Sequence, residues 1–136
     1  MQSTSDRLFS EYHYNYNYKK HFMKQLSIRQ KRHLRRLTET AYEKDLSKCV
    51  TDLDKKFAAW KNKSLSVWDL NQAIHEYHDD IARELYKSYT MSDPIFTVAF
   101  GVSRGVIKLE DVEESCKEDV EKLSAAMLRN QEMHSE

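Results

Sequence analysis

From Ser27 onward, apolar residues recur at intervals of mostly three and four, the spacing that gathers side chains on one face of an α-helix. Leu34, Leu37, Ala41, Leu46, Cys49, Leu53, Phe57 and Trp60 form a single stripe along about nine turns and predict a first helix over residues 28–61. Ser27 and Gln30 have the spacing of a capping box at its start. The β-branched Thr38 and Thr40 mark the place where this helix is expected to break, if it breaks at all.

The polar run Lys61-Asn62-Lys63-Ser64 interrupts the stripe, and Ser66 with Asp69 three residues on offers a second start. Val67, Leu70, Ile74, Tyr77, Ile81 and Leu85 then predict a second helix over 67–90, folded back antiparallel on the first. Asp93-Pro94 pairs a capping side chain with a proline at the first helical position and predicts a third helix over 94–104. Ile95, Phe96, Val98, Ala99, Phe100 and Val102 make that helix apolar nearly all round, as a buried one must be, with Gly105 closing it in a left-handed conformation. Leu109, Val112, Cys116, Val120, Leu123 and Met127 predict a fourth helix over 109–130, with acidic residues on its outer face. The expected fold is all-α: a compact bundle of about four helices containing a long helical hairpin.

Residues 1–26 follow another rule. Tyr12, Tyr14, Tyr16 and Tyr18 alternate with His13, Asn15 and Asn17, which is a strand period with no second strand to pair with. The expectation is a mobile tyrosine-rich arm ahead of one helical domain over 27–136.

Composition supports the helical reading, since residues 1–93 contain neither glycine nor proline. Cys49 and Cys116 lie far apart and do not make a secreted disulfide framework, so both are expected to be reduced. No apolar run of signal-peptide type or of membrane-spanning length occurs, so the expected location is cytoplasmic. The zero net charge hides an asymmetry: residues 1–63 carry 15 Lys/Arg against 7 Asp/Glu, and residues 64–136 carry 7 against 15. Opposite halves of this kind suit pairing within one molecule, pairing between molecules, or two different partners.

Three clusters are candidates for function. Ile74-His75-Glu76-Tyr77-His78-Asp79-Asp80 crowds metal-competent side chains, and His75, His78 and Asp79 are the candidate ligands. No second helix supplies a matching Glu-x-x-His, no nucleophile is paired with a base, and no glycine-rich phosphate loop is present. No catalytic residue is therefore assigned and no cofactor is expected. The bland alternative is a helix-edge histidine among solvated carboxylates.

Arg29, Lys31, Arg32, Arg35 and Arg36 form a basic face near the start of helix one, suited to a phosphate backbone or to an acidic protein. The same residues would also serve as a plain solvated face. On the flank of helix two, His75, His78, Arg83, Tyr86 and Tyr89 form a wall suited to a protein partner. Such a wall is also what the polar-tipped border of an ordinary core looks like.

Trp60-Lys61, Ala73-Ile74-His75-Glu76-Tyr77-His78 and Ala82-Arg83-Glu84-Leu85-Tyr86 together resemble a pattern in a group of small bacterial helical proteins, over about residues 30–110. That resemblance implies bacterial origin and interest in His75, His78, Arg83 and Glu84, and no activity. The leading functional expectation is a non-enzymatic helical protein that binds another protein. The alternatives are a nucleic-acid-binding module using the basic half, and a metal-dependent enzyme or sensor at His75/His78; a homo-oligomer is also compatible.

Overall fold

The computed structural model describes residues 25–134. The tyrosine-rich arm expected over 1–26 lies almost wholly outside them. Among the described residues the chain is all-α, with no strand. Its elements are α1 (Ile28–Lys61), α2 (Val67–Glu76), a π-helical segment (Tyr77–Ala82), α3 (Arg83–Thr90), α4 (Pro94–Ser103), a single 3-10 turn (Leu109–Asp111) and α5 (Glu114–His134).

α1 is one unbroken helix of 34 residues, about 51 Å at 1.5 Å per residue. The break foreseen at Thr38–Thr40 does not occur. Thr38 Oγ1 donates to the Leu34 carbonyl at 2.9 Å and Thr40 Oγ1 to the Arg36 carbonyl at 3.0 Å, so both hydroxyls return their bonds to the helix instead of competing with it. The capping box is formed: the Gln30 amide reaches Ser27 Oγ at 3.1 Å, and the Ser27 amide reaches Gln30 Oε1 at 2.8 Å.

The turn at the far end is built by residues the pattern marked only as polar. Asn62 Oδ1 accepts the Ser64 amide at 3.0 Å, and Lys63 takes a left-handed backbone at φ 68°. Ser66 Oγ then caps α2 by accepting the Asp69 amide at 3.1 Å.

The second predicted helix, 67–90, is a single rod carrying an insertion. Glu76, Tyr77, Ala82 and Arg83 all keep right-handed helical dihedrals, yet residues 77–82 bond in the wider π pattern between α2 and α3. Eight residues separate Tyr77 from Leu85, and at 100° each that would turn Leu85 about 80° away from the side Tyr77 occupies. A wider turn rotates each residue less and brings Leu85 and Tyr89 back onto the core.

α4 is the central helix. Asp93 Oδ1 accepts the Ile95 and Phe96 amides at 3.0 and 3.3 Å, and Ile95, Val98 and Ala99 are buried. It faces α1 at Gly101, where a side-chain methyl would sit 3.1 Å from Ala41 Cβ and 2.7 Å from Ile107 Cδ1. Gly105 closes α4 at φ 74°, and the Val106 amide reaches back to the Gly101 carbonyl at 3.0 Å.

The fourth helix begins later than expected, at Glu114 instead of residue 109. Leu109 and Val112, three apart, are the spacing of a 3-10 turn, after which Val112 is extended at φ −81°, ψ 132°. α5 then buries Cys116, Val120 and Met127 as foreseen.

The core gathers the first half of α1, then α3, α4, the loop residues Val106, Ile107 and Val112, and α5. It does not extend along the whole of α1. Of residues 50–82 only Leu70 is fully buried, and it lies outside the main cluster. The far half of α1, with α2 and the π segment, is thus a two-helix projection with no third layer over it among the described residues.

Candidate functional site

The side chains that join this distal hairpin to the body form a buried charged network that the apolar pattern did not reveal. Asp45, one turn before Cys49 on α1, is 1% exposed. Arg104, at the end of α4, donates to it twice, from Nε to Oδ2 at 2.8 Å and from Nη2 to Oδ1 at 2.7 Å. The Tyr89 hydroxyl at the end of α3 donates to Oδ2 at 2.9 Å. The Tyr89 ring packs edge-on against Phe100, 5.1 Å between centroids, and the Arg104 guanidinium lies 5.9 Å from the same Phe100 ring.

Burial alone would push the Asp45 carboxyl up, but hydrogen bonds from Arg104 and Tyr89 outweigh it and hold the group below the usual carboxylate range. Burial and the adjacent carboxylate push the Tyr89 phenol up. Cys49 is pushed up by burial and then by Asp45, and Cys116 chiefly by burial, so neither thiol has the lowered value of a nucleophile. Among the described residues no buried side-chain nitrogen or oxygen lacks a hydrogen-bond partner, and the network's one half-exposed member, Arg104, is engaged bidentately. This is a clasp among three helices.

Tyr89 was expected on the partner-facing flank, and the structure places it elsewhere: it is 3% exposed and belongs to this clasp. The other flank residues, His75, His78, Arg83 and Tyr86, are exposed. His78 Nδ1 lies 3.0 Å from Asp79 Oδ1. That bond, ahead of a small opposing desolvation, lowers the Asp79 carboxyl. His75 does not join them, and among the described residues no three His, Cys, Asp or Glu side chains are grouped to hold a metal ion.

The basic face is exposed at Arg29, Lys31, Arg32, Arg35 and Arg36, while Leu34 between them is buried. Arg29 pairs with Glu113, Gln30 bonds Ser115 at 2.9 Å, and His33 Nε2 accepts the Glu113 amide at 3.0 Å. The acidic start of α5 therefore lies directly beside the basic start of α1. An open groove of about 940 Å³ between α1 and the 105–111 loop carries Lys44, Lys48, Lys55 and Lys108, but Glu43, Asp52 and Asp111 line it too and nearly cancel their field.

The most exposed feature is apolar. Trp68 is 80% exposed and Trp60 41%, and Val50, Val67, Ile74 and Ile81 on the same hairpin are exposed as well. On a helical wheel His75 and His78 fall between Trp68 and the Val67/Ile74/Ile81 row, so the exposed histidines and the apolar side chains share one face of α2 and its π extension. The sequence signal was present, since the α1 stripe runs on to Trp60 and the α2 stripe begins at Val67. What it lacked was any sign that nothing among the described residues covers them.

No protein-family model, no curated protein and no solved structure matches this chain. Among the described residues no helix is long and apolar enough to cross a membrane.

Proposed function

We propose that this is a non-enzymatic interaction protein whose working surface is the distal hairpin formed by the far half of α1, α2 and the π segment. The observation that carries this reading is the exposure of Trp68, together with Trp60, Val67, Ile74 and Ile81, on a projection that no other described element covers. Large aromatic and β-branched side chains held in water on rigid helices are what a protein interface buries, and tryptophan is the residue type most enriched at its energetic centre. The body supplies a rigid mount: the Asp45–Arg104–Tyr89 clasp fixes α1 where the hairpin leaves the core. His75 and His78 contribute a polar border, in keeping with the usual rim of such surfaces.

The test is recovery of the full chain from its cells after mild cross-linking, beside a Trp68→Glu/Ile74→Glu variant. The reading predicts a stoichiometric protein partner held by the native chain and lost from the variant. Identical partners for both chains would show that the hairpin is not the working surface.

A second reading rests on Lys31, Arg32, Arg35 and Arg36, which are exposed and bond no carboxylate among the described residues. A nucleic-acid backbone would suit them, and the binding would weaken steeply with salt. Glutamate at Arg32, Arg35 and Arg36 would abolish it, and unchanged binding by that variant would dispose of the reading.

A further inference from the structure

We infer that the occupant of the distal hairpin is a second copy of this chain, the two hairpins closing on each other as a four-helix bundle. The inference rests on the hairpin being the working surface and names what covers it.

Spacing is the first argument. Leu46, Val50, Leu53, Phe57 and Trp60 on α1 follow one another by 4, 3, 4 and 3 residues. Val67, Leu70, Ile74, Tyr77 and Ile81 follow by 3, 4, 3 and 4. This is the heptad rhythm of helices packed side against side in coiled coils and four-helix bundles. Two helices alone bury only the inner edge of two such stripes: Leu70 is buried, while Val50, Trp60, Val67, Ile74 and Ile81 stay exposed. A third and fourth helix with matching rhythm would cover the outer edges.

Charge selects which helices those are. Residues 50–63 carry four lysines, at 55, 56, 61 and 63, against Asp52 and Asp54. Residues 64–82 carry Asp69, Glu76, Asp79 and Asp80, and no lysine or arginine. Each hairpin therefore has one basic helix and one acidic helix. A two-fold axis that sets the basic helix of one copy against the acidic helix of the other satisfies both contacts at once, because an isologous interface repeats every pairing. A helix of single charge sign from an unrelated protein would match only one side of the hairpin.

The first measurement is the mass of the full chain by sedimentation equilibrium over rising concentration, beside Trp68→Glu/Ile74→Glu. The expected result is a mass rising to twice 16.2 kDa for the native chain and staying at 16.2 kDa for the variant, with circular dichroism showing both to be equally helical. A native chain that stays monomeric at 100-fold above the lowest concentration, or a variant that still dimerises, would overturn the inference. A monomeric native chain whose cellular partner is still lost with Trp68→Glu/Ile74→Glu would leave the hairpin as the interaction surface and remove only the second copy.

A charge-reversed pair reads the arrangement without touching the apolar face. Lys56→Glu/Lys61→Glu makes both helices of one hairpin acidic, and Glu76→Lys/Asp79→Lys/Asp80→Lys makes both basic. Each should self-associate at least 10-fold more weakly than the native chain, and an equimolar mixture should recover association as a mixed dimer. Failure of the mixture to recover would contradict pairing of α1 with the other copy's α2.

Discussion

Asp45 and Arg104, 59 residues apart, meet in a two-pronged ion pair at 2.7 and 2.8 Å where α1 leaves the core. On one side of this pair α1 packs on α4 and buries Leu34 and Ala41; on the other it runs on into a hairpin in which only Leu70 is fully buried. A carboxylate this deeply placed is tolerated because both oxygens are bonded. The direction of the hairpin is thereby tied to the body by bonds that are far more directional than apolar packing.

Breaking the pair should therefore be costly. Asp45→Ala leaves a half-buried guanidinium and a buried phenol without their acceptor, and is expected to destabilise the chain by about 3 kcal/mol. Tyr89→Phe removes one neutral donor and should cost about 1 kcal/mol. Denaturant midpoints of the two variants check the ranking, and an Asp45→Ala loss no larger than that of Tyr89→Phe would refute the clasp.

The pair also sets a pH dependence. The folded-state Asp45 value lies below the ordinary one, so its contribution is complete above the unfolded value of about 3.9 and disappears as pH falls through the lower folded value. Stability of the native chain should fall with acid through that window. Asp45→Asn should lack that part of the fall, as measured by thermal melts from neutral pH downward.

Gly101 lies at the α1–α4 crossing, and any side chain there meets Ala41 and Ile107. Alanine is the better helix former by about 1 kcal/mol, yet Gly101→Ala is expected to destabilise by about 1–3 kcal/mol because overpacking wins. A more stable Gly101→Ala variant would mean that the two helices can separate freely.

Lys63 sits at φ 68° in the hairpin turn, a conformation that costs a residue with a side chain about 1–2 kcal/mol. Lys63→Gly should relieve that strain and stabilise the turn by about 0.5–1 kcal/mol, partly offset by the greater freedom of glycine when unfolded. Hydrogen exchange at the amides of Ser64 and Leu65, which bond the Ala59 carbonyl at 2.9 and 3.1 Å, reads the gain locally.

The first three predicted helices were legible in the sequence because caps and period agreed: Ser27 with Gln30, Ser66 with Asp69, and Asp93 with Pro94 all act as their spacing implied. The π segment was not legible, since a stripe whose five intervals from Val67 to Leu85 span 18 residues reads the same whether one turn is widened or not, and only the need to bury Leu85 and Tyr89 together shows it. The late start of α5 was missed because Leu109 and Val112 keep helical spacing while the chain between them makes a 3-10 turn. Asp45 was invisible for a different reason: an acidic residue in an apolar stripe looks like an interruption until Arg104 and Tyr89 arrive from distant positions. The flank residues His75 and His78 were singled out for their chemistry, whereas Trp60 was read as part of the helix-one apolar stripe and Trp68 fell outside every stripe.

The two tryptophans of the chain, Trp60 and Trp68, both lie on the distal hairpin, so tryptophan emission, excited selectively over tyrosine, reports on that surface. The most direct measurement is the emission maximum of the full chain as its concentration is raised. Pairing of hairpins predicts water-exposed emission in the dilute chain, moving to shorter wavelength in step with the rise in mass and absent from Ile74→Glu/Ile81→Glu. Emission that stays at its water-exposed position while the mass doubles would contradict the account.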